Sequence, residues 1–378
     1  MLSSLADIQQ LEKIHQLALD NQIAFASYCL PGASQITTLV QWKSEPAILS
    51  DLSDLESQSG FVFVPFDLQS ATPIRLIQPD LIIQGDTFSE TFLHGDKPWN
   101  QKPKGARSSK ALHQASRDEY TQQVEALQQD IATGPLDKVV LSRISLESKP
   151  EGFNPSAFFM ALQQSYPDAF VFMLYISDTG LWFGATPEPL LQVQGNTVST
   201  VSLAGTRSYH PEQTLHPWGE KEIDEQEIVT RYIDELLNRF GIQSYHREGP
   251  LTQRAGSVEH LLTRFGFKAD QLQQPVSSFL KALHPTPSVC GLPKELAFAK
   301  IRQTEKHLRE YYTGFLGPVN MYNQWHLFVN LRSMKVEKDQ LAYFLGAGIT
   351  AGSDPVAEWE ETNKKKKTLL QIIEALNL

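Results

Sequence analysis

The chain has 378 residues, 41% of them hydrophobic and 10% aromatic, which supports a sizeable packed core and excludes a disordered or fibrous chain. Its 33 basic and 43 acidic residues leave a net charge of −10, which disfavours nucleic acid or an anionic membrane as partner. An anionic ligand would therefore need a metal or a local cluster of cations.

By length alone the chain would hold roughly two or three domains. Cys29 and Cys290 are too few for a disulfide framework or a cysteine metal site. No apolar run reaches the ~18 residues of a membrane span, and Met1–Ala6 lacks the basic start of a signal peptide. A cytoplasmic protein is expected.

In chain order, Leu5, Ile8, Leu11, Ile14, Leu17 and Leu19 recur at helical spacing and predict an amphipathic helix over 5–22. From Ile23 to about Gly85, short apolar runs such as Phe61–Val64 predict strands. Residues 95–110 are polar and basic without periodicity, which predicts a mobile loop and a boundary between an N-terminal portion and the rest. Beyond it, 116–132 reads as helix and Lys138–Arg143 as strand. Ser177-Asp178-Thr179-Gly180 and Gly195-Asn196 each sit between apolar runs and predict two hairpins. Hairpins interleaved with helices give an α+β class with large antiparallel sheets.

Residues 219–238 form a predicted helix whose apolar stripe is Val229, Tyr232, Ile233 and Leu236. At ~100° per residue Glu222 and Glu225 fall on that stripe, while Glu220, Asp224 and Glu227 point away. The helix over 356–376 repeats the arrangement: the stripe Leu369, Ile372 and Leu376 extends back through Lys365, Glu361 and Glu358. Lys364, Lys366 and Lys367 rotate off it as a solvated face. First-turn acids also complement a helix dipole, and that plainer reading stands beside the functional one. Buried carboxylates cost several kcal/mol unless paired or metal-bound. Two such helices suggest a shared cation, and oxygen donors without His or Cys suit Mg²⁺ best. A di-iron carboxylate bundle is the competing metal reading, but it normally needs Glu-x-x-His pairs on four helices. Ahead of the last helix, Leu345–Pro355 reads as strand, glycine-rich turn and helix start, a pattern that can present backbone N–H groups to an anion.

These residues resemble a family. Gly346–Ser353 followed by Asp354-Pro355, Glu358-x-x-Glu361-Thr362 and, earlier, Lys221-Glu222-x-x-Glu225 is similar to the chorismate-utilising enzymes: the anthranilate, aminodeoxychorismate, salicylate and isochorismate synthases. The resemblance covers about residues 110–378, and the first hundred residues carry little of it. It implies one domain over the whole chain, with two stacked, largely antiparallel sheets, helices outside and a Mg²⁺-dependent site in a cleft. The tract at 95–110 then becomes a loop within that domain.

Three positions bear on the reaction. Ser202-Leu203-Ala204-Gly205-Thr206 lacks the lysine that looks to be the nucleophile of aminodeoxychorismate synthases. Lys138 stands where ammonia-using members have Gln, so the resemblance implies attack by water and no glutamine amidotransferase partner. Leu283–Gly291 is similar to a motif of isochorismate synthases, except that Ser288 replaces the usual alanine. The expected activity is Mg²⁺-dependent conversion of chorismate to isochorismate by a monomer, for menaquinone or siderophore biosynthesis. Salicylate synthase is the alternative, and a carboxylate-bridged metal oxidase or hydrolase a more remote one.

By resemblance Lys138 is the base and Glu188, in Thr186-Pro187-Glu188-Pro189, the acid. Both then need environments that favour their neutral forms. The plainer readings are a solvated lysine opening a strand and a surface glutamate in a turn. Glu225 and Glu361 would hold Mg²⁺, with Glu222 and Glu358 acting through waters, against the ring carboxylate near the Gly205 amide. The enolpyruvyl carboxylate would meet Arg332, Tyr312, the Gly346 amide and Lys365. His260 would lie near the ring, or else be a core histidine, and Ser288 would bear on the product.

Overall fold

The first apolar stripe closes as helix α1 (Leu5–Asp20), which stops where Gln22 takes left-handed backbone ahead of the first strand. A computed structural model of the chain describes residues 5–85, 112–209, 217–255 and 258–376. The expected loop at 95–110 lies outside them. The apolar runs up to Gly85 form β1 (Ala24–Cys29), β2 (Thr37–Gln41), β3 (Ala47–Leu49), β4 (Gly60–Val64), β5 (Ile74–Ile77) and β6 (Leu81–Gln84). Next come α2 (Arg117–Thr133), β7 (Lys138–Ser148), α3 (Pro155–Ser165), β8 (Phe170–Ile176), β9 (Gly180–Thr186), β10 (Pro189–Gln194) and β11 (Thr197–Ser208). The remainder is α4 (Glu220–Arg239), β12 (Tyr245–Ala255), β13 (Val258–Lys268), α5 (Val276–Leu283), β14 (Gly291–Leu292), α6 (Lys294–Thr304), β15 (Phe315–Val319), β16 (Gln324–Val329), β17 (Ser333–Val336), β18 (Gln340–Ile349) and α7 (Pro355–Ala375).

Both hairpins form where the turn chemistry placed them. Phe172 pairs with Gly184 across β8–β9, and Val193 with Val198 across β10–β11, where Gly195 supplies the positive φ of the turn. The strands assemble into two antiparallel nine-stranded sheets. One runs β14-β7-β18-β17-β9-β8-β1-β2-β6 and the other β12-β13-β11-β10-β16-β15-β4-β5-β3. The early strands are divided between them: β1 pairs with β8 and β4 with β15. The tract near residue 100 therefore separates no sheet from the other.

The inner faces meet through aromatic rings. Phe170 of the first sheet stacks on Phe328 of the second at 4.2 Å between centroids, and Phe63 meets Trp182 edge-on. Each such ring removes 150–250 Å² from water, which makes this layer the main apolar contribution to cohesion between the sheets. Helices α1, α3 and α7 cover the outer face of the first sheet, and α4 and α5 that of the second. Helices α2 and α6 pack over β7 and β18. The expected α+β class with stacked sheets and outer helices is the observed one. Helix α4 also rests on β11, and α7 on β18. The first turns of these two helices thereby reach one end of the sandwich.

Candidate active site

Lys138 opens β7 between two glycine contacts that its chain requires. A Cβ at Gly348, on neighbouring β18, would lie 2.7 Å from the Lys138 Cε and 3.2 Å from its Nζ. A Cβ at Gly291, which has φ +128°, would lie 2.1 Å from the Lys138 carbonyl oxygen. The lysine stem thus lies in a slot kept open by the missing side chain of Gly348. Lys138 is only 3% exposed, not a solvated strand end.

Glu188 sits between Pro187 and Pro189, where the chain passes from β9 in one sheet to β10 in the other. Its carbonyl accepts from the Val329 amide, and its side chain is buried rather than lying on the surface. Burial pushes the carboxyl up to about 7, against the opposing effects of a hydrogen bond from Ser288 and the charges of Lys138 and Lys365. A rise of that size is roughly 3 kcal/mol of preference for the neutral form. Glu188 can therefore hold a proton near neutral pH.

Both residues line one cleft, whose empty space is about 1040 Å³ with the open solvent at its mouth included. Every site residue singled out in the sequence lines it except Glu358. On the β11 side, Gly205 (φ +68°) occupies a bulge between Ala204 and Thr206, and a Cβ there would press within 2.8 Å of the Glu222 carbonyl. This close approach seats the first turn of α4 against the cleft. Glu222 and Glu225 are half-buried and face in, while Glu220, Asp224 and Glu227 are exposed. His260 pairs with Thr206 across β11–β13, and its Nδ1 lies 3.0 Å from the Thr206 hydroxyl. Burial, helped by Arg332 and Lys365, lowers it to about 3, so the ring is neutral. Its buried Nε2 has no partner among the described residues.

Tyr312 is buried beneath Gly346, where a Cβ would lie 3.1 Å from its hydroxyl. Arg332 holds left-handed backbone (φ 48°) between β16 and β17 and donates to Thr368 at 3.1 Å. A non-glycine residue in that conformation is uncommon and is held by its surroundings. Here the Arg332 carbonyl accepts from the Ala185 amide. Lys365 bridges α7 to the cleft wall, with its Nζ 2.7 Å from Glu361 and 2.8 Å from the Gly346 carbonyl.

Three expectations on this side need correction. Gly346 and Gly348 belong to β18 rather than to a turn, because the ladder with β7 continues through Ile349. At the start of α7 the Ala357 amide is not left for an anion, since it donates to the Asp354 carboxylate at 2.7 Å. Lys366 is not part of a solvated face either: it is half-buried and pairs with Glu147 at 2.6 Å.

The four glutamates supply oxygen donors only, which fits a hard divalent cation. Among the described residues, no three carboxylate, histidine or cysteine side chains converge closely enough to hold a metal as they stand. Instead Lys221 stands among them, 3.4 Å from buried Glu358. Burial works to lower the Lys221 ammonium, but Glu358, Glu225 and Glu361 outweigh it and raise it. The cluster already attracts positive charge.

Some contributors had no mark in the sequence. Gln226, buried on α4, accepts from the Ala204 amide and donates to Ser202 and Thr263, fixing the strand that carries Gly205. Its place on the α4 stripe, three residues before Val229, was the available signal. Arg309 donates to the carbonyls of Val140 and Val289 and pairs with Glu305, whose carboxylate accepts the Ser142 amide. This buried pair fastens the Lys138 strand to the loop carrying Ser288.

The family model for chorismate-binding enzymes matches residues 76–374. The chain belongs to the chorismate-binding enzymes. Among curated members of the family, the isochorismate synthase EntC of Escherichia coli (strain K12) is 30% identical over 248 residues, 64% of this chain and 63% of that protein. The vibriobactin-specific isochorismate synthase of Vibrio cholerae is 28% identical over 320 residues, covering 82% of this chain and 78% of its own. The solved structure of the menaquinone-specific isochorismate synthase MenF from Escherichia coli superposes with a TM-score of 0.77 at 23% identity, covering 94% of this chain and 90% of that one. At that identity the likeness speaks for the shared chorismate-binding fold. Among the described residues, no helix of this family member is long and apolar enough to cross a membrane.

Proposed function

We propose that the chain is an isochorismate synthase of one domain that exchanges a ring hydroxyl of chorismate with water. The observation that carries this is the pairing of two buried groups, Lys138 and Glu188, in one cleft, with the carboxyl raised to about 7. Lys138, as the base, takes a proton from water as its oxygen bonds to C2. The two ring double bonds each shift one position, and the C4–O bond breaks. Glu188 gives its proton to the departing hydroxyl, which leaves as water. Return of the proton from Lys138 to Glu188 completes the cycle, and the isomerisation is atom-balanced.

The remaining cleft residues orient the substrate. Arg332 offers a planar pair of donors to one carboxylate, with Lys365 and the Tyr312 hydroxyl beside it. The unpartnered Nε2 of His260 is free to bond the substrate. Glu222, Glu225, Glu358 and Glu361 are the groups that would hold Mg²⁺, which when bound would supply positive charge for the other carboxylate. Ala204 stands where an amine-forming relative would use a lysine, so no covalent adduct is expected.

The test is to incubate purified protein with chorismate and Mg²⁺ at neutral pH and separate the products. Isochorismate in reversible balance with chorismate is expected. Salicylate and pyruvate released at a comparable rate would move the chain to the salicylate synthases. Unchanged chorismate alongside turnover supported by a redox-active metal would favour the oxidase reading.

A further inference from the structure

In the sequence Ser288 stood out only as a departure at a position bearing on the product. In the fold it has a definite partner. Its Oγ donates to Oε1 of Glu188 at 2.7 Å, and the Thr286 hydroxyl lies 2.6 Å from the same Oγ. A serine has one hydroxyl hydrogen, and here it is committed to Glu188, so Thr286 must donate in the second bond. The three groups form one directed chain from Thr286 through Ser288 to Glu188.

The chain of bonds has a consequence for the acid. A neutral carboxyl carries its proton on one oxygen and accepts on the other. Oε1 accepts from Ser288, which leaves Oε2 for the proton, and Oε2 takes no hydrogen bond from any described residue. The loop presenting Ser288 is itself pinned. His284 Nε2 donates to the carbonyls of Pro65 and Phe66, Lys294 donates to the His284 carbonyl at 2.6 Å, and Arg309 donates to the Val289 carbonyl at 2.9 Å. Ser288 is thus a fixed donor rather than a hydroxyl that follows the carboxyl as it turns.

We propose that Ser288 is a positioning residue for the general acid: it holds Glu188 in one orientation and reserves Oε2 for the proton that the leaving hydroxyl receives. This rests on the isochorismate synthase reading, and it gives Ser288 a role separate from product choice. The other titratable groups facing the carboxyl are Lys138 on β7, Lys365 on α7 and Tyr312 ahead of β15. Against burial, the Ser288 bond is the foremost influence favouring the ionised form, ahead of both lysines.

The test compares Ser288→Ala and Ser288→Thr with wild type. Ser288→Ala should lower kcat by roughly ten- to a hundredfold with little change in KM. Its activity should also persist to higher pH, with the alkaline limb moved up by about one pH unit. The sign follows because an acid works only while protonated, and losing a bond that favours the carboxylate raises its pKa. Ser288→Thr retains the hydroxyl and should restore both kcat and the limb, whatever second product it releases. Carbon-13 NMR of glutamate-labelled protein without substrate provides a readout apart from activity. The resonance absent from Glu188→Gln should titrate about one unit higher in Ser288→Ala. An unchanged titration and pH profile in Ser288→Ala would overturn the proposal, as would failure of folded Ser288→Thr to restore them. Normal turnover by Glu188→Gln would instead remove the acid assignment on which it rests.

Discussion

Glu188 and Glu361 line the same cleft, yet the protein drives them toward opposite protonation states. For both, the largest influence is loss of water, which raises a carboxyl. At Glu188 the opposing groups do not overcome it, and the carboxyl stays near neutrality. At Glu361, Lys365 at 2.7 Å, with Lys221 and Arg332 beyond, reverses it and brings the carboxyl below its ordinary range. The difference is one of direct partners. Glu188 receives a neutral hydroxyl and Glu361 receives an ammonium. One cleft can in this way contain a proton donor and a cation-attracting carboxylate a short distance apart.

The largest expected effect comes from removing the two groups proposed to transfer protons. Lys138→Ala and Glu188→Gln should each cut turnover by roughly a thousandfold while still binding chorismate with Mg²⁺. Near wild-type turnover in either would erase the contrast between the two carboxylates. Next in size, Glu225→Gln and Glu361→Gln should weaken Mg²⁺ and chorismate binding by at least about tenfold, and exposed Glu227→Gln by less than about twofold. Calorimetric titration separates these outcomes, and unchanged metal binding in both inward variants would defeat the cation-site reading.

A smaller loss is expected from Gly348→Ala, whose methyl would fill the Lys138 slot. Turnover should fall by roughly tenfold with little change in substrate affinity, because the base is displaced rather than removed. A last effect concerns stability rather than turnover. Folded Glu188 keeps its proton to about 7, well after an exposed carboxyl has lost its own. The folded state should therefore lose up to about 3 kcal/mol as pH climbs through that window. Glu188→Gln lacks this loss, so it should unfold a few degrees above wild type at pH 8 and show little difference at pH 4. Equal unfolding temperatures at both values would mean that burial does not raise the Glu188 carboxyl.

The sequence made the helices and hairpins legible because each carries a local period or a turn dipeptide. The inward direction of Glu222 and Glu225 followed from the same period. Lys138, Glu188 and the other cleft-lining positions were legible through family resemblance, and their shared cleft could not be read from local pattern. The glycines of β18 misled, since Gly346 and Gly348 suit a turn locally while the ladder to β7 extends them as strand. Lys366 misled likewise, because its partner Glu147 lies on β7, remote in sequence. The Ser288–Glu188 bond spans 100 residues and the Arg309–Val140 bond 169. No local pattern encodes such pairings.

The divided placement of the early strands has a consequence for how the chain comes to be folded. Strands β1 to β6 emerge first during synthesis, but β1 needs β8 and β4 needs β15 before either joins its sheet. At roughly 5–20 residues per second, Val64 waits on the order of ten to fifty seconds for Phe315. Through that interval an apolar segment, Gly60-Phe61-Val62-Phe63-Val64, has its edge unpaired. The part of the chain with the least family signature is thus the part with the longest exposure to misassociation. A shortened version lacking it would leave β8 and β15 as bare apolar edges, one in each sheet.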